Sequence, residues 1–129
     1  MKDKGLLMKK KSEEKEDKLL EIIIETIKNK KGKEIVSINL KEIEHSVCEY
    51  FVICHADSTT QVGAIAEEVK QKTKELANIP ADHIEGISNS QWVLMDYINI
   101  VVHIFLGEYR NYYHLEELWA DGELTKHDD

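Results

Sequence analysis

Apolar residues along the chain recur at two spacings, every three or four positions in some stretches and every second position in others. Leu19, Leu20, Ile22, Ile23, Ile24 and Ile27 form a helical stripe that runs into Lys28-Asn29-Lys30-Lys31-Gly32. That run is a stop signal, because cations suit the carbonyl end of a helix and glycine accepts the left-handed cap. Residues 35–40 alternate and predict a half-buried strand, whereas residues 50–54 are apolar throughout, as a strand covered on both faces should be. Ser58, Thr59 and Thr60 offer cap oxygens for a helix carrying Val62, Ile65, Ala66, Val69, Thr73 and Leu76 on one side. It must stop before Ile79-Pro80, since a residue preceding proline is pushed out of the α region.

Residues 83–87 read as a short strand, followed by a polar Ser88-Asn89-Ser90 turn. Residues 92–97 and 100–105 are two strong strands, and residues 108–121 suit one amphipathic helix with Tyr112, Leu115, Leu118 and Trp119 turned inward. The stretch before residue 18 is charged and nearly lacks core residues, so a mobile tail or a frayed helical lead-in is expected there. Residues 18–122 form the expected domain and residues 123–129 an acidic C-terminal tail. This order of elements predicts an α/β (α+β) fold, helices packed on a mixed sheet of about five strands.

If Ile98-Asn99 is a two-residue turn, Tyr97 opposes Ile100, Asp96 opposes Val101, Leu94 opposes His103 and Trp92 opposes Phe105. Alternation then sorts the hairpin into two faces. Val93, Met95, Tyr97, Ile100, Val102 and Ile104 form a core face. On the other, Asp96 and His103 interrupt an apolar set of Trp92, Leu94, Val101 and Phe105, and Trp92 and Asp96 are diagonal neighbours of His103. An aromatic anchor beside an acid and an imidazole suits protein docking. The competing reading is that a helix covers this face and His103 hydrogen-bonds Asp96 beneath it. Asn99 tolerates positive φ, but β-branched Ile98 does not suit a type I′ turn.

Charge narrows the partners. Of 129 residues with a formal net charge of −8, the first 33 hold eleven Lys against seven acids, while the rest hold six Lys or Arg against eighteen acids. A domain so acidic is repelled by a phosphate backbone, so broad direct nucleic-acid binding is not expected, and a basic protein patch is the more natural partner. Lys9-Lys10-Lys11 is offset by Glu13, Glu14, Glu16 and Asp17. Two cysteines make no disulfide framework and suit a reducing compartment. No stretch approaches the ~20 apolar residues of a membrane span. The N-terminal residues show neither a signal-peptide core nor an acid-poor transit pattern, so cytoplasmic residence is the expectation.

Enzyme chemistry finds little support. Nucleotidyl transfer needs a Gly-Ser loop followed by an Asp-x-Asp pair for divalent metal, and Asp57-Ser58 is the nearest fragment, with no such pair before the terminal Asp128-Asp129. Ser58 is better explained as a helix cap. His45-x-x-Cys48 with Cys54-His55 does not have the spacing of a zinc site, and Cys54 ends a buried strand. Nothing supplies an electropositive setting for a cysteine nucleophile. His83, His114 and His127 read as surface or helix-flank residues. No catalytic residue, metal or cofactor is expected.

Several short motifs recur together: Ser58-x-x-Gln61, Ala64-Ile65-Ala66, Glu85-Gly86, Trp92 followed by Asp96, Val102-His103-Ile104-Phe105, and Arg110-x-x-Tyr113-x-Leu115-Glu116-x-Leu118-Trp119. In that order, across residues 19–122, they resemble the ribosomal silencing factor (Iojap-like) family. The resemblance implies a mixed-sheet fold shaped like a nucleotidyltransferase without its chemistry. It implies a translational repressor that binds the large-subunit ribosomal protein numbered fourteen and sterically blocks subunit joining, most usefully under nutrient limitation. It also implies a homodimer when free. Trp92, Asp96 and His103 match the family's hairpin residues and, with Leu94 between them, are the leading contact candidates; Glu85 is a second-tier one. Arg110, Tyr113, Glu116 and Trp119 match the C-terminal run and are read as helix-to-sheet packing. The departure is Ile98-Asn99, where the family usually has Gly-Asp.

Overall fold

The structure, a computed structural model, describes residues 2–127. Helix α1 spans Lys2–Asn29 and is followed by strands β1 (Lys33–Asn39) and β2 (Tyr50–Ala56), then helix α2 (Thr59–Ala77). Strands β3 (His83–Glu85), β4 (Trp92–Asp96) and β5 (Ile100–Leu106) lead into the short helices α3 (Gly107–Tyr113) and α4 (Leu115–Leu118), and β6 (Glu123–Lys126) closes the order. The six strands form one mixed sheet in the order β3-β4-β5-β2-β1-β6, with β2 and β5 parallel and every other pair antiparallel.

Helices cover both faces of this sheet. On one side, Leu19, Ile23, Ile24 and Ile27 of α1 and Val62, Ile65, Ala66 and Val69 of α2 pack on Val52, Cys54, Val93, Met95, Val102 and Ile104. On the other, Tyr109, Leu115 and Trp119 pack on Val36, Ile38, Phe51, Ile53 and Phe105. Being covered twice, β1 is buried from Ile35 to Ile38 rather than half-buried as its alternation suggested. The expected N-cap is present, with the Ser58 hydroxyl accepting from the Gln61 N–H at 3.1 Å, and α2 ends in a left-handed Asn78 just before Ile79-Pro80. At the end of α1, a side chain on Gly32 would bring a Cβ within 2.3 Å of the Ile27 side chain, so only glycine fits that close approach.

Of the two forms expected before residue 18, the helical lead-in is present: α1 is helical from Lys2, and Glu16 is buried. Two expectations are corrected. Residues 108–121 do not make one helix, because His114 takes a left-handed φ of 51° and divides α3 from α4. The break turns Tyr112 and Leu118, expected inside, out to solvent, while Leu115 and Trp119 do pack inward. Residues 123–126, placed in a C-terminal tail, pair with β1 as an edge strand and supply the sixth strand. His127 continues that edge, its N–H bonding the Ile35 carbonyl and its Nε2 lying 2.8 Å from the Ser37 hydroxyl. Asp128 and Asp129 lie outside the described residues.

Candidate functional site

The β4–β5 pairing follows the anticipated register at every position, from Trp92 opposite Phe105 to Asp96 opposite Val101. Beyond β4, Glu85 pairs with Leu94 and His83 with Asp96. One cross-sheet row therefore reads Glu85, Leu94, His103, and the row beside it His83, Asp96, Val101. Coverage fades along each row. Val101, His103 and Phe105 on β5 are buried; Trp92, Leu94 and Asp96 on β4 are half-buried; His83 and Glu85 on β3 are exposed. Neither competing reading of this face holds alone, since α3 and α4 cover its inner half and leave β3 and β4 open. Gly86 sets the outer edge: its φ is +88°, and a Cβ there would lie 2.1 Å from the Trp92 carbonyl oxygen.

His103 is 4% exposed and does not bond Asp96. Its Nδ1 accepts the indole N–H of Trp92 at 3.1 Å, while Asp96 Oδ1 accepts the Ile98 N–H at 2.7 Å. With Nδ1 accepting, the neutral imidazole carries its proton on Nε2. Nε2 has no hydrogen-bond partner among the described residues. Burial pushes the His103 pKa down to about 4, so the ring is neutral at physiological pH.

Aromatic rings fix Trp92 from several sides. Its ring stacks on Phe105 with centroids 5.1 Å apart and lies 4.5 Å from Tyr113 at the end of α3. Phe51 meets His103 edge-on at 4.8 Å and Trp119 edge-on at 5.4 Å. Trp92 is thereby held at the boundary between covered and open sheet. Beside this cluster, Val47, Phe51, Leu94, Ile98, Val101 and His103 enclose a niche of about 390 Å³ with Asp96 in its wall. Val47 and Ile98 stand at its rim and are 75% and 65% exposed. Ile98 has a φ of 74°, and the Asn99 N–H bonds the Tyr97 carbonyl at 2.9 Å, which makes the tip a γ-turn nested inside the two-residue connection. A groove of about 470 Å³ between α1 and α2 lies on the opposite face and is rimmed by paired charges such as Lys30 and Glu68.

Within the C-terminal run, Arg110, Glu116 and Trp119 pack as expected, whereas Tyr113 is 40% exposed. Arg110 is buried and donates from Nε to Glu116 at 2.8 Å and from a terminal nitrogen to His55 Nδ1 at 2.9 Å, with the Lys33 carbonyl at 3.4 Å. It ties α3 to α4, β2 and β1. Burial and the Arg110 charge lower the His55 pKa. Asp57 pairs with Lys33, and burial raises the thiols of Cys48 and Cys54 to about 11 and about 12, far from the thiolate a nucleophile needs. Among the described residues, no group of three or more His, Cys, Asp or Glu side chains could hold a metal ion.

The family model described as ribosomal silencing factor during starvation matches residues 12–129. The chain belongs to the ribosomal silencing factor family. It is 38% identical over 108 residues to the ribosomal silencing factor RsfS of Halalkalibacterium halodurans, covering 84% of this chain and 91% of that protein. The Bacillus subtilis protein of the same name is 37% identical, covering 83% of this chain and 89% of its own length. A crystal structure of a Chromobacterium violaceum protein superimposes with a TM-score of 0.76 at 33% identity, covering 81% of this chain and 85% of that one. A Bacillus halodurans crystal structure gives 0.71 at 38% identity, covering 80% and 94%.

Within this silencing-factor fold, Trp92, Leu94, Asp96, His103 and Glu85 share one face, though they differ in access: His103 supports from below and Glu85 stands fully outside. Reasoning from sequence missed Tyr113 as a surface member, and missed Val47, Phe51 and Ile98 as walls of the niche. The adjacent Tyr112-Tyr113 pair was the available signal, since one helix cannot bury neighbouring positions on the same face. For Val47, in an irregular loop between β1 and β2, periodicity carries no signal.

Proposed function

We propose that this protein is a translational repressor that docks on the large ribosomal subunit and blocks its joining to the small subunit. The partner is the large-subunit ribosomal protein numbered fourteen, and the docking surface is the open half of the sheet, with Trp92 as anchor, Leu94 and Asp96 beside it, Glu85 at the edge and His103 beneath. The observation that carries this reading is the position of Trp92, held by Phe105, Tyr113 and His103 yet left partly exposed. Such a preorganised aromatic next to acids is the arrangement expected of an anchor for a basic protein. Obstruction requires no catalyst. It requires an interface on the order of 1,200–2,000 Å² at the place where another body must dock.

The protein is a homodimer when free, on this proposal, and it acts in the cytoplasm; among the described residues no helix is long and apolar enough to cross a membrane. Nutrient limitation is the condition in which blocked joining is most useful. A role in building the large subunit is a second reading. It is favoured by a mouse relative named mitochondrial assembly of ribosomal large subunit protein 1, 28% identical over 103 residues and matched over 45% of its length.

Co-sedimentation with purified large subunits tests the first reading. Wild-type protein is expected in the subunit fraction, and Trp92→Ala should weaken binding about thirtyfold or more, since truncating an anchor costs at least ~2 kcal/mol. Glu85→Lys, at an exposed position where only a surface pair with His83 is lost, is expected to slow association at low salt. Wild-type protein that stays in the supernatant overturns the reading. Accumulation of precursor large subunits on depletion of the protein would favour the assembly role instead.

A further inference from the structure

Ile98 is strained and exposed at once. A β-branched residue at φ 74° carries backbone strain that glycine would relieve, and its side chain, 65% exposed, contributes little to the core. Val47, from a different loop, stands on the same niche and is still more exposed. Beneath this apolar rim His103, 4% exposed, turns Nδ1 to Trp92 and leaves Nε2–H without an acceptor among the described residues. A buried donor without an acceptor costs free energy in the unbound protein, and a bound oxygen would recover it.

We infer that the niche receives an aliphatic side chain of the docked basic protein, clasped between Val47 and Ile98, together with an acceptor oxygen that takes the Nε2–H of His103. This rests on the docking reading above and adds to it a contact made by the exposed side chains of Val47 and Ile98. Nε2 has almost no accessible surface, so the oxygen reaches it only if a neighbour moves, and Leu94, paired opposite His103 and partly exposed, is the neighbour on the open side of the hairpin. The acid in the niche wall, Asp96, suits a basic group flanking the inserted residue.

The test is co-sedimentation of wild type and variants with purified large subunits, alongside thermal unfolding of each variant. Ile98→Gly should unfold at a higher temperature and yet bind about tenfold more weakly, because it relieves the turn and removes buried apolar area. A purely structural role for Ile98 cannot move the two readouts in opposite directions. Val47→Ser, at an exposed position, should weaken binding about threefold. His103→Asn, which keeps an acceptor near Trp92 but loses the distal donor, should lose about tenfold. Ile98→Gly and Val47→Ser binding as tightly as wild type overturns the apolar clasp, and His103→Asn binding as tightly as wild type overturns the donor. In both cases wild-type binding leaves the docking reading standing. Failure of the wild type to bind overturns both.

Discussion

The indole N–H of Trp92 reaches Nδ1 of His103 across the β4–β5 hairpin at 3.1 Å, and that bond decides which imidazole nitrogen keeps the proton. The ring is neutral, and the surface anchor is joined to a buried group. A change at His103 therefore reaches the face through Trp92.

The same burial makes stability depend on pH. His103 has a pKa lowered from 6.5 to about 4 in the folded protein, so between those values the unfolded chain holds a proton that the folded one does not. Stability is then complete above pH 6.5 and is lost as pH falls toward 4. Between pH 7.5 and pH 5 the loss from this group should be about 2 kcal/mol. Urea unfolding of wild type and His103→Gln at both values checks it, because the variant should lack that part of the slope. A slope identical in the two proteins would contradict the assignment.

Glu16 gives the opposite sign. Burial first, then the Glu49 carboxyl beside it, raises its pKa to about 8, with Lys41 at 3.9 Å and the Asp17 charge also acting on it. Here the folded state keeps a proton that the unfolded chain releases above its ordinary 4.5, so stability is complete below that value and lost as pH rises through 8. Glu16→Gln should raise the unfolding midpoint at pH 9 and change little at pH 4.5. Thermal scans at the two pH values decide it.

Much of this geometry was legible beforehand. The alternation from Trp92 to Phe105 fixes every β4–β5 pair, because slipping one residue would turn Val93, Met95, Val102 and Ile104 outward. The helical stripe of α2, its Ser58 cap and its stop before Pro80 follow from local chemistry just as directly. The break at His114 was not legible, since histidine visits the left-handed region without glycine's signature. Neither was β6, whose only apolar residue is Leu124 and whose pairing with β1 is a long-range event. The site inherits the first of these failures. How far α3 and α4 extend over the sheet decides which side chains of the Trp92 face stay open, and that extent depends on the unanticipated break.

The hairpin tip offers a direct stability test. Ile98→Gly removes a side chain from a φ of 74°, and relief of strain should exceed the added unfolded-state entropy by about 1 kcal/mol. Urea denaturation should show a higher midpoint with an unchanged slope. A lower midpoint would mean that the Ile98 side chain contributes more to the fold than its exposure suggests.

Arg110 holds four elements together through Glu116, His55 and the Lys33 carbonyl. Arg110→Ala leaves those partners partly buried and unpaired, which should cost about 3 kcal/mol and loosen the α3–α4 cover. Arg110→Lys should recover only part of this, because an ammonium lacks the planar fork that serves several acceptors at once. Equilibrium unfolding of both variants gives the comparison, and an alanine variant as stable as wild type would remove Arg110 from this role.

Subunit joining measured by light scattering tests the central claim most directly. Purified large subunits are saturated with the protein, and small subunits are then added. Joining should be suppressed in proportion to the fraction of large subunits occupied, and it should return with Trp92→Ala at concentrations where that variant no longer binds. Large subunits that carry the wild-type protein and still join small subunits to the full extent would contradict the account.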